Sequence, residues 1–109
     1  MISVEYDHGE LILRVSADGM TASTHAAHLH TLGRAFEVYL DRNKERNEVW
    51  RHSGARGMTF HCYAKAERAF SEAMAGRPSN PDNYLDLINY AAFALRLEDD
   101  LNGDWPWPR

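Results

Sequence analysis

The residues best placed to do chemistry in this chain are polar side chains set into apolar helical repeats. Asp86, Asn89 and Tyr90 interrupt the run Tyr84-Leu85-Asp86-Leu87-Ile88-Asn89-Tyr90-Ala91. A carboxylate among such neighbours needs a cation, a metal ion or a cluster of donors, because an unpaired buried charge is costly. Asp82, Asp86 and Asn89 recur at helical spacing and share one face. Two readings are open for Asp86: a ligand or metal site, or an ion pair with an arginine of a neighbouring helix.

A second constellation lies upstream. Leu29, Leu32, Phe36 and Tyr39 or Leu40 form a helical apolar seam that continues at the same spacing to Asn43, Asn47 and Trp50, with Lys44, Arg46 and Arg51 beside it. Buried amides need hydrogen-bond partners, so this end of the helix either lines a ligand site or projects beyond the core. Glu67 falls inside the stripe Phe60, Tyr63, Ala64, Phe70 and Met74, next to Arg68; it is a site carboxylate, a local ion pair or an exposed position. Ser53-Gly54-Ala55-Arg56-Gly57 precedes a helix whose free N–H groups suit an anion, and Arg51 and Arg56 flank it. No Gly-Lys-Ser/Thr follows, so it is not a Walker loop. His25, His28 and His30 lack the His-Glu-x-x-His arrangement and a local carboxylate that a zinc site calls for. Cys62 has no neighbour that marks an activated thiol.

The elements that must position these residues are mainly helical. Ile2–Tyr6 and Leu11–Val15 are β-favouring runs around Asp7-His8-Gly9-Glu10, which predicts a hairpin within residues 1–17. A lone hairpin is marginal in water, so it should pack on the helices or extend a sheet in another subunit. Helical periodicity predicts helices over 21–53, 58–75 and 81–101. Gly76 and Pro78 follow the second; Ser79 or Asn80 caps the third ahead of Pro81 and Asp82. Trp105-Pro106-Trp107-Pro108 makes 104–109 an extended tail. The expected fold is a three-helix bundle-like core with an N-terminal β-hairpin and a Trp-Pro tail, forming one domain over 1–109. Nearly all-round apolar character in the third helix predicts a homo-oligomer.

Charge narrows the ligand. Residues 1–41 carry two basic against six acidic side chains, residues 42–68 seven against three, and residues 82–109 two against six, within an overall charge of −4. An acidic chain is a poor binder of duplex nucleic acid, whereas a basic middle suits a small phosphorylated ligand or a solvated helix face. With 109 residues there is room for one core. No apolar run is long enough to span a bilayer, the N-terminus does not read as a secretory signal, and a single cysteine excludes an internal disulfide framework. The expected compartment is the cytoplasm.

Several segments match a family pattern. Arg42-Asn43-Lys44-Glu45-Arg46-Asn47-Glu48-Val49-Trp50, Ser53-Gly54, an Arg-bearing helix and Asp86-Leu87-Ile88-Asn89-Tyr90-Ala91 resemble small phage proteins of the nucleotide-modification-associated group. That group is distantly similar to the all-α, MazG-like nucleoside triphosphate pyrophosphatases. The resemblance covers about residues 36–97. It implies Mg²⁺ held by carboxylates of a Glu-x-x-Glu and a Glu-x-x-Asp, here Glu45, Glu48 and Asp86, with Glu67 added from its place in the second helix. Asn89 departs from the pattern, with an amide where the second carboxylate of Asp86-x-x-Asn89 would stand. Mg²⁺ prefers carboxylate oxygens and water, so the departure points to binding before catalysis.

Three functions are therefore expected in turn. The first is a phage-encoded nucleotide-binding protein, with Mg-dependent phosphohydrolysis as its catalytic form. Asn43, Lys44, Asn47, Arg51, Arg56 and Asn89 would contact the nucleotide, Lys44, Arg51 and Arg56 at its phosphates, and Trp50 or Tyr90 would stack a base. The second is a non-catalytic sponge for a host-defence nucleotide messenger, acting in the infected cell's cytoplasm. The third is a structural or partner-binding oligomer with no small ligand.

Overall fold

The structure, a computed structural model, describes residues 2–16, 22–46 and 49–102, with side chains left aside at 22, 45, 46, 49 and 100–102. The expected tail at 104–109 lies outside the described residues, as do Asn47 and Glu48.

Strands β1 (Ile2–Asp7) and β2 (Glu10–Val15) pair antiparallel with Ile2 opposite Val15 and Asp7 opposite Glu10. The two-residue turn between them has φ of 49° at His8 and 81° at Gly9. Positive φ at both central positions is the type I′ geometry that matches strand twist, and glycine takes it without steric cost. The pairs Ile2/Val15, Val4/Leu13 and Tyr6/Leu11 share one face, as alternation requires. That face is not packed on the helices: all six side chains are exposed, and only Ile12 of the hairpin is half-buried.

The helices are α1 (Ala22–Arg46), α2 (Gly54–Met74) and α3 (Pro81–Asn102). The first departs from the expected 21–53 span. It ends at Arg46, and Val49–Ser53 form a separate 3-10 turn. Beyond Leu40 the helix has no apolar seam to bury. Trp50 instead gains its packing from that separate turn. Gly54 follows at φ 70° and α2 starts there, so most of the segment read as a loop, Ser53–Gly57, opens α2 four residues earlier than its periodicity indicates. Along α1 the buried position is Ala35, whereas Leu32, Phe36 and Leu40 stay exposed. The seam therefore borders the helix contact, with Leu29 and Tyr39 half-buried and Tyr39 reaching Phe93 of α3.

Helices α2 and α3 form an antiparallel pair. The Ala75 and Gly76 N–H groups donate to Ser71 and Ala73 carbonyls at 3.1 and 3.0 Å, and Arg77 N–H to Glu72 at 2.9 Å, closing α2. Asn80 caps α3, its Oδ1 accepting from the Asp82 N–H at 3.0 Å. Glu72 ties the two ends together, accepting from the Asn80 N–H at 3.1 Å and from the buried Asn83 amide at 3.2 Å. Helix α1 packs against α3. Helix α3 is thus the central element, and its side chains are mostly half-buried, with Tyr84 and Leu95 its exposed large apolar residues. Surplus apolar surface lies on the hairpin and on α2 instead.

Two glycines test the helices. A Cβ on Gly57 would sit 2.9 Å from the Ser53 Cβ, whereas one on Gly33 meets nothing within 4 Å. Gly33→Ala should raise stability by about 0.5–1 kcal/mol through helix propensity. Gly57→Ala should lose that gain to the clash and end roughly 1 kcal/mol less stable than the native chain. Urea melts of both variants check the opposite signs.

Candidate functional site

Asp86, Asn89, Phe93 and Arg96 follow one another at spacings of three, four and three residues, which sets them along one face of α3. Each meets another element. The Asp86 carboxylate is 5% exposed. Its Oδ1 accepts from the Arg42 guanidinium at 2.6 Å and its Oδ2 from the Lys65 ammonium at 2.9 Å. One carboxylate thus joins α1, α2 and α3. Of the two readings of Asp86, the ion pair with an arginine of a neighbouring helix is the one formed, and Lys65 adds a cation not foreseen. One turn on, the Asn89 amide donates to the Ala35 carbonyl at 2.8 Å, pinning α1 to α3 at the most buried apolar residue among those described.

The next residue on this face builds an aromatic platform. Trp50 is buried and stacks on Phe93, with ring centres 4.3 Å apart and planes 7° from parallel. The guanidiniums of Arg51 and Arg96 lie 4.9 and 4.8 Å from the centre of the indole. A guanidinium this close to an indole is attracted by the ring's π-electrons. Tyr39 and Tyr90 extend the cluster at 5.7 and 6.4 Å from Phe93, and His61 lies 5.2 Å from Tyr90. The indole Nε1 is buried with no hydrogen-bond partner among the described residues.

The structure brings part of the expected site together. Trp50 and Arg51 meet at the platform, Tyr90 borders it, and Asn89 belongs to the same face of α3 but is engaged by Ala35. Asn43 is half-buried on α1, one residue beyond Arg42, and Lys44 is exposed. Arg56 is exposed in the first turn of α2. Glu45 falls in the last turn of α1. Glu67 is exposed, two residues beyond Lys65 and so on the side of α2 turned away from Asp86. Asp86 and Glu67 therefore do not meet, and a divalent cation at Asp86 would compete with Arg42 and Lys65 for its oxygens. Among the described residues no three His, Cys, Asp or Glu side chains cluster as a metal site would require. Burial pushes the Cys62 thiol up from its ordinary range, which keeps it protonated near neutral pH. Arg96 is the residue that the sequence reading missed. Its signal was available in the spacing Asp86, Asn89, Phe93, Arg96, which continues the same face two turns past Asn89.

Comparisons with protein-family models, curated proteins and solved structures gave no match. No helix among the described residues is long and apolar enough to cross a membrane.

Proposed function

We propose that the chain is a non-catalytic nucleotide-binding protein that takes the phosphate end of its ligand beside Trp50. The observation that carries this reading is the placing of Arg51 and Arg96 over one indole, 4.9 and 4.8 Å from its centre. Guanidiniums held by an aromatic platform meet phosphate oxygens with forked donors. Lys44 and Arg56 add exposed positive charge from the basic middle of the chain, and Tyr90 borders the platform through Phe93. The resemblance to nucleotide-modification-associated phage proteins supplies the ligand class, and with it a role in sequestering a nucleotide messenger of the host. Binding is favoured over hydrolysis because Asp86 is already paired with Arg42 and Lys65, and Asn89 stands where the family pattern has a second carboxylate.

Thermal shift across nucleoside monophosphates, triphosphates and cyclic dinucleotides, with and without Mg²⁺, tests this directly. At least one nucleotide should stabilise the protein and be recovered intact. Arg51→Ala and Arg96→Ala should each weaken its binding by roughly 10- to 150-fold, the worth of one charge-assisted hydrogen bond. Release of phosphate or pyrophosphate would establish the phosphohydrolase instead. Equal affinity in both variants would remove the site from Trp50.

A partner-binding oligomer is a second reading, favoured by one observation. Tyr6 at 75% and Ile2 at 66% exposure lead an unbroken apolar hairpin face, and contiguous apolar surface of this kind marks interfaces.

A further inference from the structure

Helix α2 has two opposed faces. Met58, Cys62, Lys65, Ala69 and Glu72 follow at spacings of four, three, four and three, and this face turns to α3, where Lys65 reaches Asp86 and Glu72 reaches Asn83. Phe60, Tyr63, Glu67, Phe70 and Met74 follow at three, four, three and four on the other side. That second row is a heptad seam, the spacing with which one helix packs along another. It is exposed throughout: Phe60 65%, Tyr63 64%, Phe70 66% and Met74 72%. Ala64, Ala66, Ser71 and Ala73 flank it, small enough for a second helix to approach closely.

We infer that this face of α2 pairs antiparallel with the same face of a second copy of the chain. Glu67 selects the occupant and its direction. In a parallel pair Glu67 would oppose Glu67 of the other copy, two like charges in an apolar seam. In an antiparallel pair, core positions of one kind meet those of the other, and one register places Phe60 against Phe70 and Tyr63 against Glu67, twice by symmetry. The tyrosine hydroxyl then donates to the carboxylate that otherwise has no place in the seam, and Met74 lies along the stem of Arg56. The register one heptad step further sets Glu67 against Phe70 and leaves the carboxylate without a donor. The register one step back pairs Glu67 with Arg56 but carries Phe70 and Met74 past the start of the helix. A second copy also adds to a thin core: Ala35, Trp50, Met58 and Ala69 are the buried apolar residues among those described, so apolar burial against a partner adds to what one copy buries by itself. Four large side chains about two-thirds exposed offer roughly 500 Å² per copy, and neighbouring small residues bring the patch towards the ~800 Å² per partner of a standard interface.

The pairing does not depend on nucleotide binding, and its test reads mass rather than ligand. Sedimentation equilibrium of the full chain should give twice the 12.5 kDa protomer mass. Phe60→Glu with Phe70→Glu should give a monomer of unchanged helical circular dichroism, since both side chains are exposed within one copy. Tyr63→Phe should weaken the dimer by roughly tenfold or more through loss of the donor to Glu67, and Glu67→Leu should tighten it. In a Cys62→Ser background, Phe60→Cys mixed with Phe70→Cys should oxidise to the mixed disulfide. A monomeric native chain, a Phe60→Glu/Phe70→Glu variant that stays dimeric, or preferential Phe60→Cys homodisulfides would each overturn the proposal.

Discussion

Asp86→Ala should lower the melting temperature by roughly 12–24 °C. Removing one partner of a buried ion pair costs about 3–5 kcal/mol, because the other charge stays behind. The lower end applies here. The Arg42 side chain is 47% exposed and can turn to water, whereas that of Lys65 is 18% exposed and is stranded. About 3 kcal/mol at ~4–8 °C per kcal/mol gives the stated range. The double variant Asp86→Ala/Lys65→Met should recover part of the loss, since an apolar side chain of similar length replaces the unpaired ammonium. Among Asp86→Ala, Lys65→Ala and Arg42→Ala, the last should be the mildest, with Asp86 still held by Lys65. The quantity to measure is the coupling energy of the Asp86/Lys65 cycle, expected at 1 kcal/mol or more. Asp86→Ala that melts with the native protein yet loses a nucleotide would make Asp86 a ligand residue and its ion pairs incidental.

The same residue shows what a sequence can and cannot specify. That Asp86 needs a cation follows from the greasy residues around it, and an arginine of another helix was one of the two readings open. Which arginine was not legible. Arg42 lies 44 residues away, and the choice among the basic residues of 42–68 depends on how α1 crosses α3. The hairpin was legible to within a residue, because alternation and the His8-Gly9 turn point to the same register. Helix α3 was equally clear, since Asn80, Pro81 and Asp82 signal its start. The end of α1 was not. No glycine or proline falls between Arg34 and Ser53, so local propensity runs on, whereas Val49–Ser53 form a 3-10 turn whose Trp50 stacks on Phe93. The glycines at 54 and 57 misled in the opposite direction, since they read as a loop while opening α2. Surplus apolar surface was foreseen on α3 and is found on α2, because α3 is covered from both sides, by α1 and by α2. The nucleotide reading rests on side chains whose types were legible and whose meeting at one indole was not.

Trp50 is where fold and proposed function are hardest to separate, and two substitutions separate them. Trp50→Ala should cost about 3–5 kcal/mol, as large-to-small changes at buried aromatics do. The loss includes the stack on Phe93, worth ~0.5–1.5 kcal/mol, and the support given to Arg51 and Arg96. Trp50→Phe should be far milder. It keeps a ring against Phe93 and a face for the guanidiniums. It gives up indole volume, but it also removes Nε1, a buried donor with no partner among the described residues, whose burial unsatisfied costs ~1–3 kcal/mol. The two effects offset, and Trp50→Phe should lie within about 1 kcal/mol of the native chain in a urea melt. Nucleotide titration then reads the second role. If the indole N–H is kept in order to donate to the ligand, Trp50→Phe should weaken the best nucleotide by roughly tenfold while stability holds, a split that a purely structural tryptophan cannot give. If affinity and stability both survive the change, the ring serves only as the platform that holds the two guanidiniums, and the recognition of phosphate passes to Arg51 and Arg96 alone.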